Sequence, residues 1–117
     1  MNEEKRRFLR LSVNVEVNFS VLDERQACAY STASKNLSAG GICIVSFRPV
    51  LAGSLLDLRF AIPGLDRFIL SKGKVVWVSE LNVGGVKSDK GYELGVEFID
   101  IKEEDRKKIQ DYTVSGS

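Results

Sequence analysis

Two short patterns in this chain could do chemistry on an anionic ligand. The first is Arg6-x-x-x-Arg10, with Arg7 between the pair. A guanidinium group keeps its charge at any working pH, and its planar fork donates two parallel hydrogen bonds, a match for phosphate. Four-residue spacing puts both groups on one side of either a strand or a helix. The second pattern is Asn36-x-Ser38-x-x-Gly41. An amide and a hydroxyl two residues apart at a strand end can hydrogen-bond the donor–acceptor edge of a base. Gly40 and Gly41 allow another group to approach the backbone closely. Each pattern also has an ordinary explanation, a solvated basic terminus for one and a hairpin turn for the other.

Chance separates these explanations only in part. With 8 Arg, 12 Ser, 10 Gly and 12 Asp plus Asn in 117 residues, the arginine pattern is expected about 0.5 times and Asp/Asn-x-Ser-x-x-Gly about 0.1 times, so both together about 0.05 times. Neither is specific alone; the pair is moderately so. A third feature is Trp77, within Lys72-Gly73-Lys74-Val75-Val76-Trp77-Val78. It can stack on a purine or under a guanidinium, or serve as a core or barrel-wall tryptophan.

Other chemistries are excluded by composition. The chain has no histidine, which removes the commonest general base, the usual zinc ligand and every Ser-His or Cys-His nucleophile. Cys28 and Cys43 lack C-x-x-C spacing and read as two buried thiols in a reducing cytoplasm. No metal-ligand set stands out, and carboxylate pairs are not separable from scattered surface charge. The expectation is a protein that is not an enzyme and needs no cofactor. Lys and Arg number 17 against 16 Asp and Glu, a net charge of +1, so no bulk field draws in a nucleic-acid polymer.

The elements that must position these residues follow from the hydrophobic period. Residues 1–11 read as a polar, basic, flexible N-terminal arm carrying the arginine pair. From Ser12 to Val21, Val13, Val15, Val17, Phe19 and Val21 alternate strictly with polar residues, the pattern of a half-buried strand. A weaker strand spans Ala27 to Lys35, and Asn36 to Gly41 reads as a turn by composition. Further strands are expected at Ile42–Phe47, Leu56–Ile62, Phe68–Ser79 (bent near Gly73) and Tyr92–Phe98, with Glu80–Gly91 as an exposed loop. The period changes after Asp100. A helix is expected over about 101–113, with Asp100 and Glu103 as a capping box and Ile101, Ile109 and Tyr112 as a thin apolar stripe.

Six short strands with turn signals between them imply a small antiparallel barrel or sandwich. At 117 residues and 44% apolar composition, the chain is long enough for a single domain with a real core, and residues 12–117 form it. No stretch approaches the roughly 18 apolar residues of a membrane helix. The charged start, MNEEKRRFLR, is not a secretory signal. A cytoplasmic protein is expected.

Taken together, Arg6-Arg7-Phe8-Leu9-Arg10 before an alternating strand, Asn36-Leu37-Ser38-Ala39-Gly40-Gly41, the Gly73-to-Val78 strand and Tyr92-Glu93-Leu94-Gly95-Val96-Glu97-Phe98 resemble a PilZ domain. The resemblance covers about residues 5 to 113, and Asn36 stands where the family more often has Asp. It implies an all-β fold, a six-stranded antiparallel barrel with a C-terminal helix, that binds the second messenger cyclic di-GMP. It also implies roles. Arg6 and Arg10 would contact phosphates and guanines, with Arg7 an additional contact. Asn36 and Ser38 would meet a guanine edge, Gly41 would leave room, and Trp77 is a further candidate. The residue before the first arginine, which in the family influences whether one or two ligand molecules bind, is Lys5. The implied function is a receptor that changes its surface on binding to regulate a protein partner in motility, biofilm or secretion. The alternatives are a PilZ-like interaction adaptor that binds no nucleotide and, ranking below it, a small barrel for single-stranded nucleic acid.

Overall fold

The computed structural model describes residues 10–12, 14–22, 30–82 and 90–115. Its strands are β1 (Arg10–Leu11), β2 (Glu16–Val21), β3 (Tyr30–Ser38), β4 (Gly41–Ser46), β5 (Leu55–Phe60), β6 (Ile69–Asn82) and β7 (Lys90–Ile101), followed by helix α1 (Glu103–Ser115). Every pairing is antiparallel. The order β3-β2-β5-β6-β7-β4 closes on itself through β3–β4, giving a six-stranded barrel to which β1 adds a short seventh segment. Closure removes the open sheet edges that a strand of this composition would otherwise present.

Alternation explains which side chains fill the barrel. Val17, Phe19 and Val21 of β2, Leu56, Leu58 and Phe60 of β5, and Leu94, Val96 and Phe98 of β7 are all buried. Phe60 and Phe98 stack at 5.9 Å between ring centroids, which anchors β5 to β7 across the interior.

Three boundaries differ from the sequence expectation. The Ser12–Val21 strand is broken, with β1 and β2 flanking a gap, because the register on β3 shifts by one residue between Leu11 and Glu16. Val15 spans that gap, donating its amide to Ser34 Oγ at 3.0 Å and accepting from the Ser34 amide at 2.9 Å. Asn36–Ser38 belong to β3 rather than to a turn, and only Ala39 and Gly40 turn the chain. The expected Glu80–Gly91 loop is shorter, since β6 reaches Asn82 and β7 starts at Lys90.

Helix α1 starts at Glu103, and the Lys102 carbonyl accepts from the Asp105 and Arg106 amides at 3.0 Å each. Asp100 lies in β7 and takes no part, so the expected capping box does not form. Ile109 is fully buried, and Ile101 and Tyr112 pack at its margins. Asp105 is buried too, its Oδ1 2.7 Å from Arg67 Nη1 in the β5–β6 connection. A buried carboxylate needs such a partner; here the pair ties the helix to the barrel.

Candidate functional site

The Asn36-x-Ser38-x-x-Gly41 pattern forms the β3–β4 hairpin, and each residue type answers a local demand. Ser38 pairs with Gly41 across the two-residue turn. Its Oγ accepts from the amides of Gly40 at 3.1 Å and Gly41 at 3.2 Å. A hydroxyl is the smallest group that can satisfy both turn amides at once. Gly41 is required by space rather than by torsion: a Cβ there would lie 2.3 Å from the Val96 carbonyl oxygen of β7. The turn is also clasped from outside. The Phe98 amide donates to Gly40 O at 2.9 Å, and Arg106 Nη1 of α1 donates to Ala39 O at 2.9 Å.

Register brings the arginine pattern here as well. β1 lays Arg10 opposite Ser38 and Leu11 opposite Leu37, on the edge of β3 away from β4. Backbone pairing thus joins the end of Arg6-x-x-x-Arg10 to the middle of the hairpin motif. Arg6 and Arg7 lie outside the described residues.

Two β-bulges decide which side chains face outward. On β3 the register shifts between Ser34 and Asn36, so Ser34 faces inward, Lys35 and Asn36 both face outward, and Leu37 faces inward again. On β6 the shift falls between Val75 and Trp77, turning Val76 and Trp77 both outward. Bulges re-aim side chains in this way beside functional sites. Asn36 pairs with Cys43, Cys43 with Gly95, and Gly95 with Trp77. These four form one rung on the outer face of four adjacent strands, spanning about 14 Å at normal strand spacing.

Trp77 is 40% exposed, so it belongs to neither the core nor a sealed wall. Its indole lies flat over Gly95: a Cβ there would sit 2.1 Å from Trp77 Nε1. Gly95 therefore builds an exposed aromatic platform whose ring nitrogen reaches toward β4. Sequence reasoning did not single out Gly95; its one signal was a glycine inside an alternating strand. Arg106 gave no signal at all.

The next rung carries an ion pair between Lys35 and Glu93, which bridges β3 to β7 over β4. The hydrogen bond to Glu93, helped by its charge, holds the Lys35 ammonium above its ordinary pKa of 10.5. Cys43 is a buried thiol in no disulfide, and Cys28 lies outside the described residues. A separate cleft of about 790 Å³ lies on the outer wall of β2, β5 and β6, lined by Asn18, Arg59, Leu70 and Lys72 among others. None of the described candidate residues contributes to it. Among the described residues no group of His, Cys, Asp or Glu could hold a metal ion, and no helix is long and apolar enough to cross a membrane.

This arrangement offers a base-sized aromatic surface, an amide side chain on the same rung and, at Arg10, the pairing of a basic stretch with the hairpin. Such a surface suits a ligand with flat π faces and negative charge.

Known proteins share the architecture. No curated protein matches the chain in sequence. Bacillus subtilis inhibitor of motility (MotI/DgrA) superimposes with a TM-score of 0.75 at 24% identity, over 94% of this chain and 50% of that one. The PilZ domain of YcgR from Escherichia coli, solved with c-di-GMP, gives 0.71 at 16% identity, over 95% and 90%. The K. pneumonia MrkH–c-di-GMP complex gives 0.67 at 15% identity, over 94% and 50%. The chain thus spans about half the length of MotI/DgrA and MrkH. The PilZ domain family model matches residues 4–115, and with that match covering nearly the whole barrel and its helix, the chain belongs to the PilZ domain family.

Proposed function

We propose that this chain is a cytoplasmic, non-catalytic receptor for cyclic di-GMP that regulates a protein partner in motility, biofilm or secretion. One observation carries the reading: the pairing of Arg10 with Ser38, which joins two signatures lying 28 residues apart in sequence. Arg6 and Arg10 bind the phosphates and stack on or hydrogen-bond the guanines, with Arg7 as a supporting contact. Asn36 meets a guanine edge, and Ser38 keeps the hairpin amides in place beside it. Gly41 leaves room for the ligand as well as for β7. Trp77 offers its ring to the second base.

The ligand's chemistry fits these groups. Cyclic di-GMP has two negative charges and two large π faces, so guanidinium groups bind it both by charge-assisted hydrogen bonds and by stacking. YcgR and MrkH, both solved with c-di-GMP, share this fold and lend support to the reading. Capture of the ligand between the arginine pattern and a rigid barrel rim changes the surface shown to a partner.

An amide chemical-shift map with cyclic di-GMP tests the assignment. Expected are large shifts at Arg10, Asn36, Ser38, Gly41 and the Trp77 indole N–H. Shifts centred on the cleft around Arg59 and Lys72 would move the site elsewhere.

A further inference from the structure

We propose that Arg106 is a positioning residue for the nucleotide-binding hairpin, and that through it α1 senses ligand capture. The proposal rests on the receptor reading above. The Ala39–Gly40 turn lies between Ser38 and Gly41, so its position sets theirs. The amides of Gly40 and Gly41 are fixed from inside by Ser38 Oγ, and the Gly40 carbonyl is fixed by the Phe98 amide. The Ala39 carbonyl is held by the Arg106 guanidinium, 67 residues along the chain.

That bond is not a requirement of the helix. The first turn of α1 is already closed on the Lys102 carbonyl. The Arg106 ion pair with Glu103 on the same helix is 3.9 Å long, with Glu103 88% exposed, the loose contact of an ordinary surface pair. Ala39, in contrast, is fully buried. Without the guanidinium its carbonyl would be a buried acceptor short of a partner, and the turn would shift to find one.

The helix end of the bond is firm. Ile109 is fully buried and Asp105 is paired with Arg67, so α1 is anchored to the barrel on both sides of Arg106. A ligand that moves the turn must therefore strain the Arg106 bond or move α1 with it. Coupling of this kind is reciprocal: a helix that positions the turn is itself repositioned by whatever the turn binds. The exposed side of α1, with Glu104, Lys107, Lys108 and Asp111, becomes the surface that changes for a partner.

The test compares wild type, Arg106→Gln, Arg106→Lys and the control Asp66→Asn, an exposed residue of the β5–β6 connection, in the full chain. It combines cyclic di-GMP titration, thermal unfolding and amide hydrogen exchange. Arg106→Gln should raise Kd about 5–20-fold, Arg106→Lys should recover part of that, and Asp66→Asn should change nothing. In ligand-free protein, Arg106→Gln should speed exchange at Gly40 and Gly41 about tenfold. Ligand should protect α1 amides in wild type but not in Arg106→Gln. A Tm loss with unchanged Kd and unchanged turn exchange would show a mere staple and overturn the proposal. Wild type that binds no cyclic di-GMP removes the receptor reading, whereas unchanged exchange at Gly40 and Gly41 removes the positioning role by itself.

Discussion

Ser38 and Gly95 illustrate how a residue can shape a surface by what it satisfies or by what it leaves out. The Ser38 hydroxyl is committed to two turn amides and the residue is only 6% exposed. Ser38→Ala leaves those amides, Gly41 buried and Gly40 part-buried, without their acceptor and should cost roughly 1–3 kcal/mol of stability, read by urea unfolding, with a parallel loss of cyclic di-GMP affinity. Unchanged stability would mean the amides find water instead. Gly95 acts by what it lacks. Gly95→Val must push the indole off β7, so Trp77 fluorescence should shift to the red and ligand affinity should fall. An unshifted spectrum would show that Trp77 does not depend on the space Gly95 leaves. The Lys35 half of its pair with Glu93 responds to alkaline pH. Because Glu93 raises the Lys35 pKa above its unfolded value, the pair's contribution is complete at neutral pH and is lost as pH rises through the folded pKa.

At the scale of elements, α1 depends on a few deep contacts rather than on an apolar face. Asp105→Ala removes the buried carboxylate through which Arg67 holds the helix, but Arg67 keeps Glu104 at 3.2 Å and remains 41% exposed, so the loss should be about 1–2 kcal/mol, below the figure for a fully buried pair. Chemical unfolding measures this, and a loss under half that size would mark the pair as ornamental. The same elements show what the sequence could and could not reveal. Strict alternation located β2, β5 and β7, because nothing interrupts the period in their buried halves. It failed at β3, where the Lys35 bulge breaks the count and Asn, Ser and Gly carry turn propensities that the sheet overrides. It left the side of Trp77 open for the same reason, since the bulge at Val76 reverses the parity just before it. The helix was legible but its cap was not. Asp100 had the right chemistry for a cap, yet β7 continues through it to Ile101. The two motifs could be found by spacing, whereas their meeting depends on pairing between β1 and β3, a long-range fact that no local pattern encodes.

For the whole molecule, closure of the barrel provides the rigid part, and the proposed receptor would draw most of its charge for the ligand from Arg6, Arg7 and Arg10. With no histidine in the chain, cyclic di-GMP affinity should be flat between about pH 6 and 8, since arginine does not titrate there. A bell-shaped or sloping profile would point to a group outside this account. The central claim is that the arginine pair and the hairpin together capture one doubly anionic dinucleotide. Titration calorimetry of wild type, Arg6→Ala and Arg10→Ala with cyclic di-GMP tests it directly. Wild type should give a saturable heat, and each substitution should weaken binding by about 2–5 kcal/mol by leaving a phosphate charge unpaired. No heat from wild type at high micromolar ligand, or arginine variants that bind as wild type does, would contradict it.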